Sequence, residues 1–278
     1  MKKINRRSFL AAAGLTAAAL ALTACGGSAS STASSTASSA ASSEAASTSA
    51  AAELTTVEAG KLTMATNATF PPYEMTTDSG DIAGIDIDTA KAIAEKLGLE
   101  LQIDDMDFDA ALLSVQQGKA DIVMAGVTVT DERKAVMDFS DSYATGIQSI
   151  IVPEGSDITS PDDLAGKKIG TQRGTTGYIY CSDDFGDDAV VAYDDGLTAV
   201  QALNNGQVDA VVIDNAPAKE FVAANPGLVI LDTSYAEEDY AIGLAKGSAL
   251  EDAVNAALEE LKADGTLQSI VDKYITAE

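Results

Sequence analysis

The sequence predicts an α/β protein of two similar lobes, each an open, mostly parallel sheet flanked by helices. The order of the elements is one reason for this prediction. In the first half of the chain, predicted strands at 61–66, 99–103 and 122–124 alternate with predicted helices that end at Leu97 and Gln117. Strands separated by helices in this way lie parallel in one sheet. An internal repeat is the other reason.

The repeat relates the segment Ala120–Gly126 (ADIVMAG) to the segment Val208–Asp214 (VDAVVID). Each segment follows a predicted helix that ends in a glycine. Gly126 and Asp214 therefore occupy equivalent positions, at the carboxyl ends of equivalent strands. Ligands of open α/β sheets bind outside those ends, so both residues are candidates for one binding site.

Further elements are predicted in the second half of the chain. They are a strand at 146–152, a helix that starts at Ser160, a strand at 168–171, a glycine loop at 172–177 that opens a helix, a return strand at 239–245, a helix from Ser248 to Ala263, and a final helix at 267–275. We expect the last two helices to pack on the first lobe, which makes that lobe discontinuous. The predicted first lobe comprises 53–147 and 242–278, the second comprises 148–241, and two strands near Gln148 and Ala241 form the hinge.

The composition excludes several classes of function. The chain has 278 residues, a formal charge of −26 and a pI near 4.1, which argue against nucleic acid and anionic membrane surfaces as partners. It has no histidine, so a Ser-His-Asp triad, a Cys-His pair and a histidine metal site are all impossible. We expect no catalytic residue, no metal and no cofactor.

The first 52 residues are predicted to target and tether the protein. Residues 1–24 have a basic start and an apolar, Ala-rich stretch, as a signal peptide has. The sequence Leu22-Thr23-Ala24-Cys25 resembles a lipobox, which predicts lipidation of Cys25, and the Ser/Ala/Thr-rich segment 25–52 is predicted to be a flexible tether. The pair Arg6-Arg7 leaves Sec and twin-arginine export both open. The expected location is the extracytoplasmic face of the cell membrane, with the N-terminal lipid as the only membrane contact.

The stretch DIVMAGVTVTDERKAVMDFSD carries the clearest chemistry in the sequence. A buried strand ends in glycine, extended residues follow, and Thr130 caps a short helix with acids in its first turn. Thr128 supplies a hydroxyl beside that helix, and Arg133 supplies a planar fork that suits a carboxylate. The alternative is that Arg133 is a surface residue that neutralises its acidic neighbours. If the lobes face each other, this anion receptor opposes Asp214, and together they suit the zwitterion of an α-amino acid.

The segment Gly126–Arg133 (GVTVTDER), followed by Asp138-Phe139-Ser140, resembles a signature of one family. The family is that of the extracytoplasmic amino-acid-binding proteins of ABC importers, the polar-amino-acid type (family 3) with a two-lobed type II periplasmic-binding fold. The resemblance spans residues 53–275. It implies that this chain captures an amino acid between its lobes and delivers it to an ABC permease, as a monomer and without enzymatic activity.

The resemblance also implies a role for each matching site residue. The implied ligand contacts are Asn67, Phe70, Phe108, Gly126, Thr128, Arg133, Gln172, Thr175, Thr176 and Asp214. The two phenylalanines stack on the ligand side chain in such a site. The Gly126 carbonyl and Asp214 bind the α-ammonium, whereas Arg133 and the three threonines bind the α-carboxylate. Asn67 and Gln172 read the ligand side chain.

The positions that read the side chain favour a neutral polar or sulfur-containing amino acid. Family members that bind lysine, arginine or histidine usually have an acid at the position of Asn67. Glutamine binders usually have lysine at the position of Gln172 and histidine at the position of Ile213, and this chain has neither.

Two other functions are compatible with this fold. One is a dehydratase-like enzyme, which needs a general acid in the cleft. The acidic candidates there, Glu74, Asp86 and Asp214, are explained by loop contacts, helix capping or ammonium binding. The other is the sensory domain of a signalling protein, which is expected to continue beyond Ile275 with a transmembrane helix or a kinase region.

Overall fold

The computed structural model describes residues 54–275. The predicted signal peptide, the predicted tether and the predicted lipidation site at Cys25 lie outside this part of the chain. Within residues 54–275, no helix combines the length and the apolar character that a membrane crossing requires.

The described residues form strands and helices in an alternating α/β order. The strands are β1 (Lys61–Thr66), β2 (Thr69–Phe70), β3 (Glu74–Thr76), β4 (Ile82–Ala83), β5 (Glu100–Asp105), β6 (Ile122–Val123), β7 (Met137–Phe139), β8 (Ala144–Pro153), β9 (Ile169–Gln172), β10 (Val190–Tyr193), β11 (Ala210–Asp214), β12 (Leu228–Ile230), β13 (Ala236–Tyr240) and β14 (Gly243–Ala245). The helices are α1 (Ile85–Leu97), α2 (Phe108–Gln116), α3 (Asp131–Val136), α4 (Thr176–Phe185), α5 (Gly196–Asn204), α6 (Asn215–Ala224), α7 (Glu251–Ala263) and α8 (Thr266–Tyr274). Two larger sheets result, and each defines one lobe.

The sheet of the first lobe has the strand order β5-β1-β6-β14-β7. Its centre is parallel, because β1 pairs with both β5 and β6 in the same direction. β14 joins from the C-terminal part of the chain and pairs antiparallel with β6 and β7. The predicted β-α-β-α-β order is confirmed here. The strands β2, β3 and β4 form a small separate sheet in the order β2-β3-β4.

The sheet of the second lobe has the strand order β10-β9-β11-β8-β12, and β13 also pairs with β8. β9 is parallel to β10 and β11, whereas β8 is antiparallel to β11, β12 and β13. The two strands of the internal repeat, β6 and β11, are the third strand in the order of their sheets. Their carboxyl ends therefore lie at the middle of each lobe.

The chain crosses between the sheets through two adjacent antiparallel strands, β8 and β13. Beyond β13 the pairing continues into the first lobe. Val129 N–H donates to the Asp239 carbonyl at 3.0 Å, and Ala241 N–H donates to the Val127 carbonyl at 3.1 Å. Thr128 lies between these two hydrogen bonds, so the second crossing strand holds it in place.

Three predicted elements differ from the structure by more than a shift of one or two residues at their ends. The helix predicted from Ser160 is a 3-10 turn at Pro161–Leu164, because Gly166 follows with a φ of 78° and turns the chain. The return strand predicted at 239–245 is two strands, β13 and β14, because β13 pairs in the second lobe and β14 pairs in the first. Helix α7 begins at Glu251, after its predicted start.

Candidate functional site

A cavity lies beside the carboxyl ends of β6 and β11, with about 400 Å³ of empty space when its mouth is included. Every residue for which the resemblance implied a ligand contact lines this cavity: Asn67, Phe70, Phe108, Gly126, Thr128, Arg133, Gln172, Thr175, Thr176 and Asp214. Four further residues also line it: Glu74, Ala125, Gln148 and Ile213. The fold therefore brings residues from both lobes to one concave site.

Arg133 is only 8% exposed, so the alternative that it is a surface residue is wrong. Thr130 caps α3 as predicted, and its hydroxyl accepts a hydrogen bond from the Arg133 N–H at 3.2 Å. The guanidinium donates to the Thr128 carbonyl at 2.7 Å and to the Gly174 carbonyl at 3.1 Å, and it lies 5.4 Å from the centroid of the Phe108 ring. Burial lowers the pKa of Arg133, but a guanidinium keeps its proton in proteins. The site therefore holds a fixed cation.

Asp214 supplies the opposite charge at the end of β11, where it is buried. Gln148 Nε2 donates to its Oδ2 at 2.6 Å, and the Tyr240 hydroxyl donates to its Oδ1. Burial raises the pKa of Asp214 to about 7, the hydrogen bond from Tyr240 works against that rise, and the charge of Glu238 adds to it. A cation bound beside Asp214 favours its charged form.

Gly126 occupies a turn with no room for a side chain. Its φ is 55°, and a Cβ there would lie 2.8 Å from the Phe70 ring. The Gly126 N–H donates to Asp86 Oδ2 at 3.0 Å, and the Tyr143 hydroxyl donates to Asp86 Oδ1 at 2.7 Å. Asp86 therefore fixes the turn after β6, which is a supporting role.

Glu74 is a fully buried acid whose side chain lines the cavity. Among the described residues no N–H or hydroxyl group donates to its carboxylate oxygens, but its carboxyl group lies within hydrogen-bonding reach of the Asp86 carboxylate, so a proton on Glu74 can join the two. Burial raises the pKa of Glu74 well above its usual value, and the neighbouring charge of Asp86 raises it further. Because two neighbouring buried carboxyl groups cannot both be ionised at low cost, a ligand that brings a cation or a hydrogen-bond donor would stabilise the ionised form of Glu74.

Asn67 and Gln172, the predicted readers of the ligand side chain, contact each other. Gln172 Nε2 donates to Asn67 Oδ1 at 2.8 Å. The Asn67 amide donates to the Met106 carbonyl at 3.0 Å, which fixes the orientation of the amide. Together they form a neutral polar wall of the cavity.

The threonines differ in what they can offer a ligand. The Thr175 hydroxyl donates to the Gln172 carbonyl at 2.8 Å and also accepts from the Tyr178 N–H at 3.4 Å as the cap of α4. Thr176 Oγ1 lies 3.5 Å from Thr128 Oγ1, so these two hydroxyls meet across the lobes. Thr128 and Thr176 are therefore better placed than Thr175 to exchange their hydrogen bonds for a ligand.

No ligand role was predicted from the sequence for Glu74, Gln148 or Glu238. Gln148 had one usable signal, because it is a long polar side chain within the mostly apolar run GIQSIIV. Glu238 had a weaker one, because in a strand it shares a face with Tyr240. The hydrogen bonds of Gln148 and Glu238 join residues 66 to 110 positions apart, so no local sequence pattern predicts them.

The fold is that of the type II periplasmic binding proteins, which have two lobes. Residues 62–277 match the family model of bacterial extracellular solute-binding proteins, family 3. The chain belongs to this family, as its resemblance in the segment Gly126–Arg133 predicted.

Similar proteins bind several amino acids. The probable histidine-binding protein of Neisseria gonorrhoeae is 32% identical over 99% of this chain and 98% of that protein. The L-cystine-binding protein TcyJ of Escherichia coli K12 is 33% identical over 80% of this chain and 85% of that protein. Among solved structures, an ancestral arginine-binding protein bound to glutamine superposes with a TM-score of 0.75 and is 43% identical, over 78% of this chain and 99% of that one. An ancestral arginine-binding protein bound to arginine superposes with a TM-score of 0.74 and is 44% identical, over 78% of this chain and 98% of that one. This chain is therefore similar to amino-acid-binding proteins, whose ligands differ from one to another.

Proposed function

We propose that this protein is the extracytoplasmic receptor of an ABC importer, anchored through lipid on Cys25, and that it captures one amino acid as a monomer for delivery to a permease. The observation that supports this function is the pair Arg133 and Asp214, buried with opposite charges in one cavity. Arg133 suits an α-carboxylate, and Asp214 suits an α-ammonium. Capture and release need no covalent chemistry, so we propose no enzymatic activity.

The ligand that we propose is arginine. Asn67 favours a neutral polar or sulfur-containing side chain, and the likeness to a cystine-binding protein supports that class. Glu74 favours a cation more strongly. Once Arg133 and Asp214 are matched to the two ends of an amino acid, Glu74 is a buried carboxylate left for the side chain. A guanidinium supplies both the missing charge and the missing donors.

Each remaining wall has a role in this proposal. Phe70 and Phe108 flank the planar guanidinium of the ligand, a contact that aromatic rings make well with cations. Gln172 accepts an outer N–H group of the ligand through its side-chain oxygen, and Asn67, whose Oδ1 already accepts from Gln172 and from the Thr69 hydroxyl, holds Gln172 in place. Glutamine is the nearest competitor, because its amide can bond to the same neutral wall but leaves Glu74 without a cation.

Isothermal calorimetry tests the ligand. The protein is unfolded in urea, washed free of bound ligand, refolded, and titrated with arginine, lysine, histidine, glutamine and cystine. We expect arginine to bind most tightly and glutamine to bind more weakly. If cystine or a neutral amino acid binds most tightly and arginine gives no heat, arginine is not the ligand. The proposal that the protein is an amino-acid receptor would still stand.

Glu74→Gln gives the residue-level test. The substitution removes the charge of Glu74 and should weaken the binding of arginine by about tenfold or more. The affinity for glutamine should change much less, because a charge-assisted hydrogen bond is about twice as strong as a neutral one. Glu95→Gln is the matched control, because Glu95 is an exposed acid on α1. Equal losses for both ligands would mean that Glu74 supports the fold and does not read the ligand.

A further inference from the structure

Glu238 is a buried acid on the second crossing strand, β13, and it is only 7% exposed. Its neighbours Glu237 and Asp239 face solvent, whereas Tyr240 is buried on the same side of the strand as Glu238. In this acidic segment one carboxylate alone is turned toward the site. The proposed function assigns no role to it.

Glu238 connects the two ends of the candidate amino-acid site. Its Oε2 accepts from the Thr128 hydroxyl at 3.1 Å and from Gln148 Nε2 at 3.0 Å. The same Gln148 nitrogen donates to Asp214 Oδ2 at 2.6 Å. A continuous series of hydrogen bonds therefore runs from Thr128 on the carboxylate side, through Glu238 and Gln148, to Asp214 on the ammonium side.

The Thr128 hydroxyl has a single proton to donate. An ionised carboxylate only accepts, so the contact with Glu238 uses that proton. Thr128 Oγ1 then acts as an acceptor toward the Thr176 hydroxyl, 3.5 Å away. A ligand α-carboxylate needs donors from these same two threonines. Ligand and Glu238 must therefore compete for the Thr128 proton.

The charge of Glu238 also acts on both charged residues of the site. Burial lowers the pKa of Arg133, and the charge of Glu238 opposes that effect. Burial raises the pKa of Asp214, and the charge of Glu238 adds to it. An α-carboxylate bound at Arg133 lies in the same field, and like charges in a poorly solvated site repel.

We propose that Glu238 is a positioning residue that acts through Thr128 and limits how strongly the site prefers ligands with an α-carboxylate. It keeps the Thr128 proton pointed toward its own carboxylate and away from the ligand. Its negative charge also repels the α-carboxylate of the ligand. The proposal rests on the proposed amino-acid site and deepens it. Neutralising Glu238 should raise the selectivity for an amino acid over the amine that lacks its carboxylate.

The test compares arginine with agmatine, the same guanidino compound without the carboxylate. Calorimetry gives the ratio of the agmatine Kd to the arginine Kd for the wild type and for Glu238→Gln. We expect the ratio to rise by about tenfold in Glu238→Gln, because a like charge beside the ligand carboxylate is removed. A merely structural role would weaken both ligands by the same factor and leave the ratio unchanged.

Glu237→Gln is the matched control, because it removes the same charge from the solvent-facing side of the same strand. Its ratio should equal that of the wild type. Glu238→Asp is the second variant, used also if Glu238→Gln does not fold, because it keeps the charge but withdraws the oxygens from Thr128. It should raise the ratio by a smaller factor.

The outcomes separate the two proposals. Wild-type protein that binds a different amino acid overturns arginine as the ligand, and the ratio is then measured with that amino acid and its own amine. Wild-type protein that binds no amino acid overturns both proposals. If the wild type binds but the ratio stays constant or falls in both Glu238 variants, the role of Glu238 is wrong and the receptor stands.

Discussion

Gln172 donates its side-chain N–H to Asn67 Oδ1 at 2.8 Å, and this bond joins the end of a strand in one lobe to the residue that follows a strand in the other. Both side chains are buried and line the cavity. The pair therefore does two things at once. It bridges the lobes, and it forms the wall that a ligand side chain meets.

Asn67→Asp should convert this neutral wall into a charged one and keep the bridge, because Gln172 can donate to either side chain, although the variant loses the hydrogen bond that the Asn67 amide donates to the Met106 carbonyl. We expect the affinity for arginine to rise by about tenfold relative to glutamine, since hydrogen bonds to a charged acceptor are about twice as strong as neutral ones. Calorimetry with both ligands measures this ratio. An equal gain for glutamine would mean that the ligand side chain does not reach Asn67.

Arg133→Ala should weaken amino-acid binding by about 30-fold to more than a thousandfold. Truncating one partner of a buried charge pair costs about 2–5 kcal/mol, and about 1.4 kcal/mol corresponds to a tenfold change in Kd. The matched control is Arg173→Ala, because Arg173 is exposed and pairs with exposed Asp194 at 3.4 Å. A loss below about threefold in calorimetry would contradict the assignment of Arg133.

The two halves of the site were predictable to different degrees. Thr128 and Arg133 follow a strand within one short segment, and the internal repeat related that strand to the one that ends at Asp214. Local pattern and repeat symmetry together therefore predicted the charged groups. Glu238 was missed because its proposed role depends on burial, and in the sequence an acid among other acids has the appearance of a solvated residue. Glu74 was placed in the cleft from the sequence but was assigned to loop contacts, because nothing local indicates that its carboxyl group is buried.

Gly84→Ala should destabilise the first lobe. Gly84 has a φ of 144°, and a Cβ there would collide with the backbone of Tyr73. We expect a loss of about 3 kcal/mol or more in the free energy of unfolding, because backbone strain of about 1–3 kcal/mol adds to the displacement of Tyr73. Urea unfolding measures the loss.

Gly80→Ala separates strain from collision. Gly80 also has a positive φ, 87°, but a Cβ there meets nothing within 4 Å. It should cost about 1–2 kcal/mol, the penalty of a left-handed residue alone. If both substitutions lower the free energy of unfolding by the same amount, the close approach of Gly84 to Tyr73 does not contribute to the loss of stability.

Amino-acid affinity should fall as the pH falls through the neutral range. Burial raises the pKa of Asp214 to about 7 in the protein without ligand, and a bound α-ammonium lowers it again. The complex therefore binds fewer protons than the free protein, so binding strengthens as the pH rises through about 7, and Asp214 alone weakens it by at most about tenfold per pH unit below that. Glu74, whose pKa burial also raises, adds to this slope when the ligand brings a second cation. Calorimetry from about pH 5.5 to about pH 8 measures the slope. Asp214→Asn should reduce it to the contribution of Glu74, and a slope that is the same in the wild type and in Asp214→Asn would contradict the role of Asp214.

Ligand binding should close the two lobes. Thr128 and Arg133 belong to the first lobe, whereas Thr176 and Asp214 belong to the second. A ligand that touches both sets binds the closed form better, so it must shift the equilibrium toward closure. Small-angle scattering with and without saturating arginine should show a smaller radius of gyration for the complex.

Asp214→Asn tests which contact drives that closure. The first lobe can hold a carboxylate at Arg133 without help, but the countercharge for the α-ammonium comes from Asp214 across the cavity. The variant should therefore keep weak binding while compacting less than the wild type at the same fractional saturation. If the wild type does not compact at all, the two lobes do not act as a clamp, and a closed, loaded receptor is not what the permease receives.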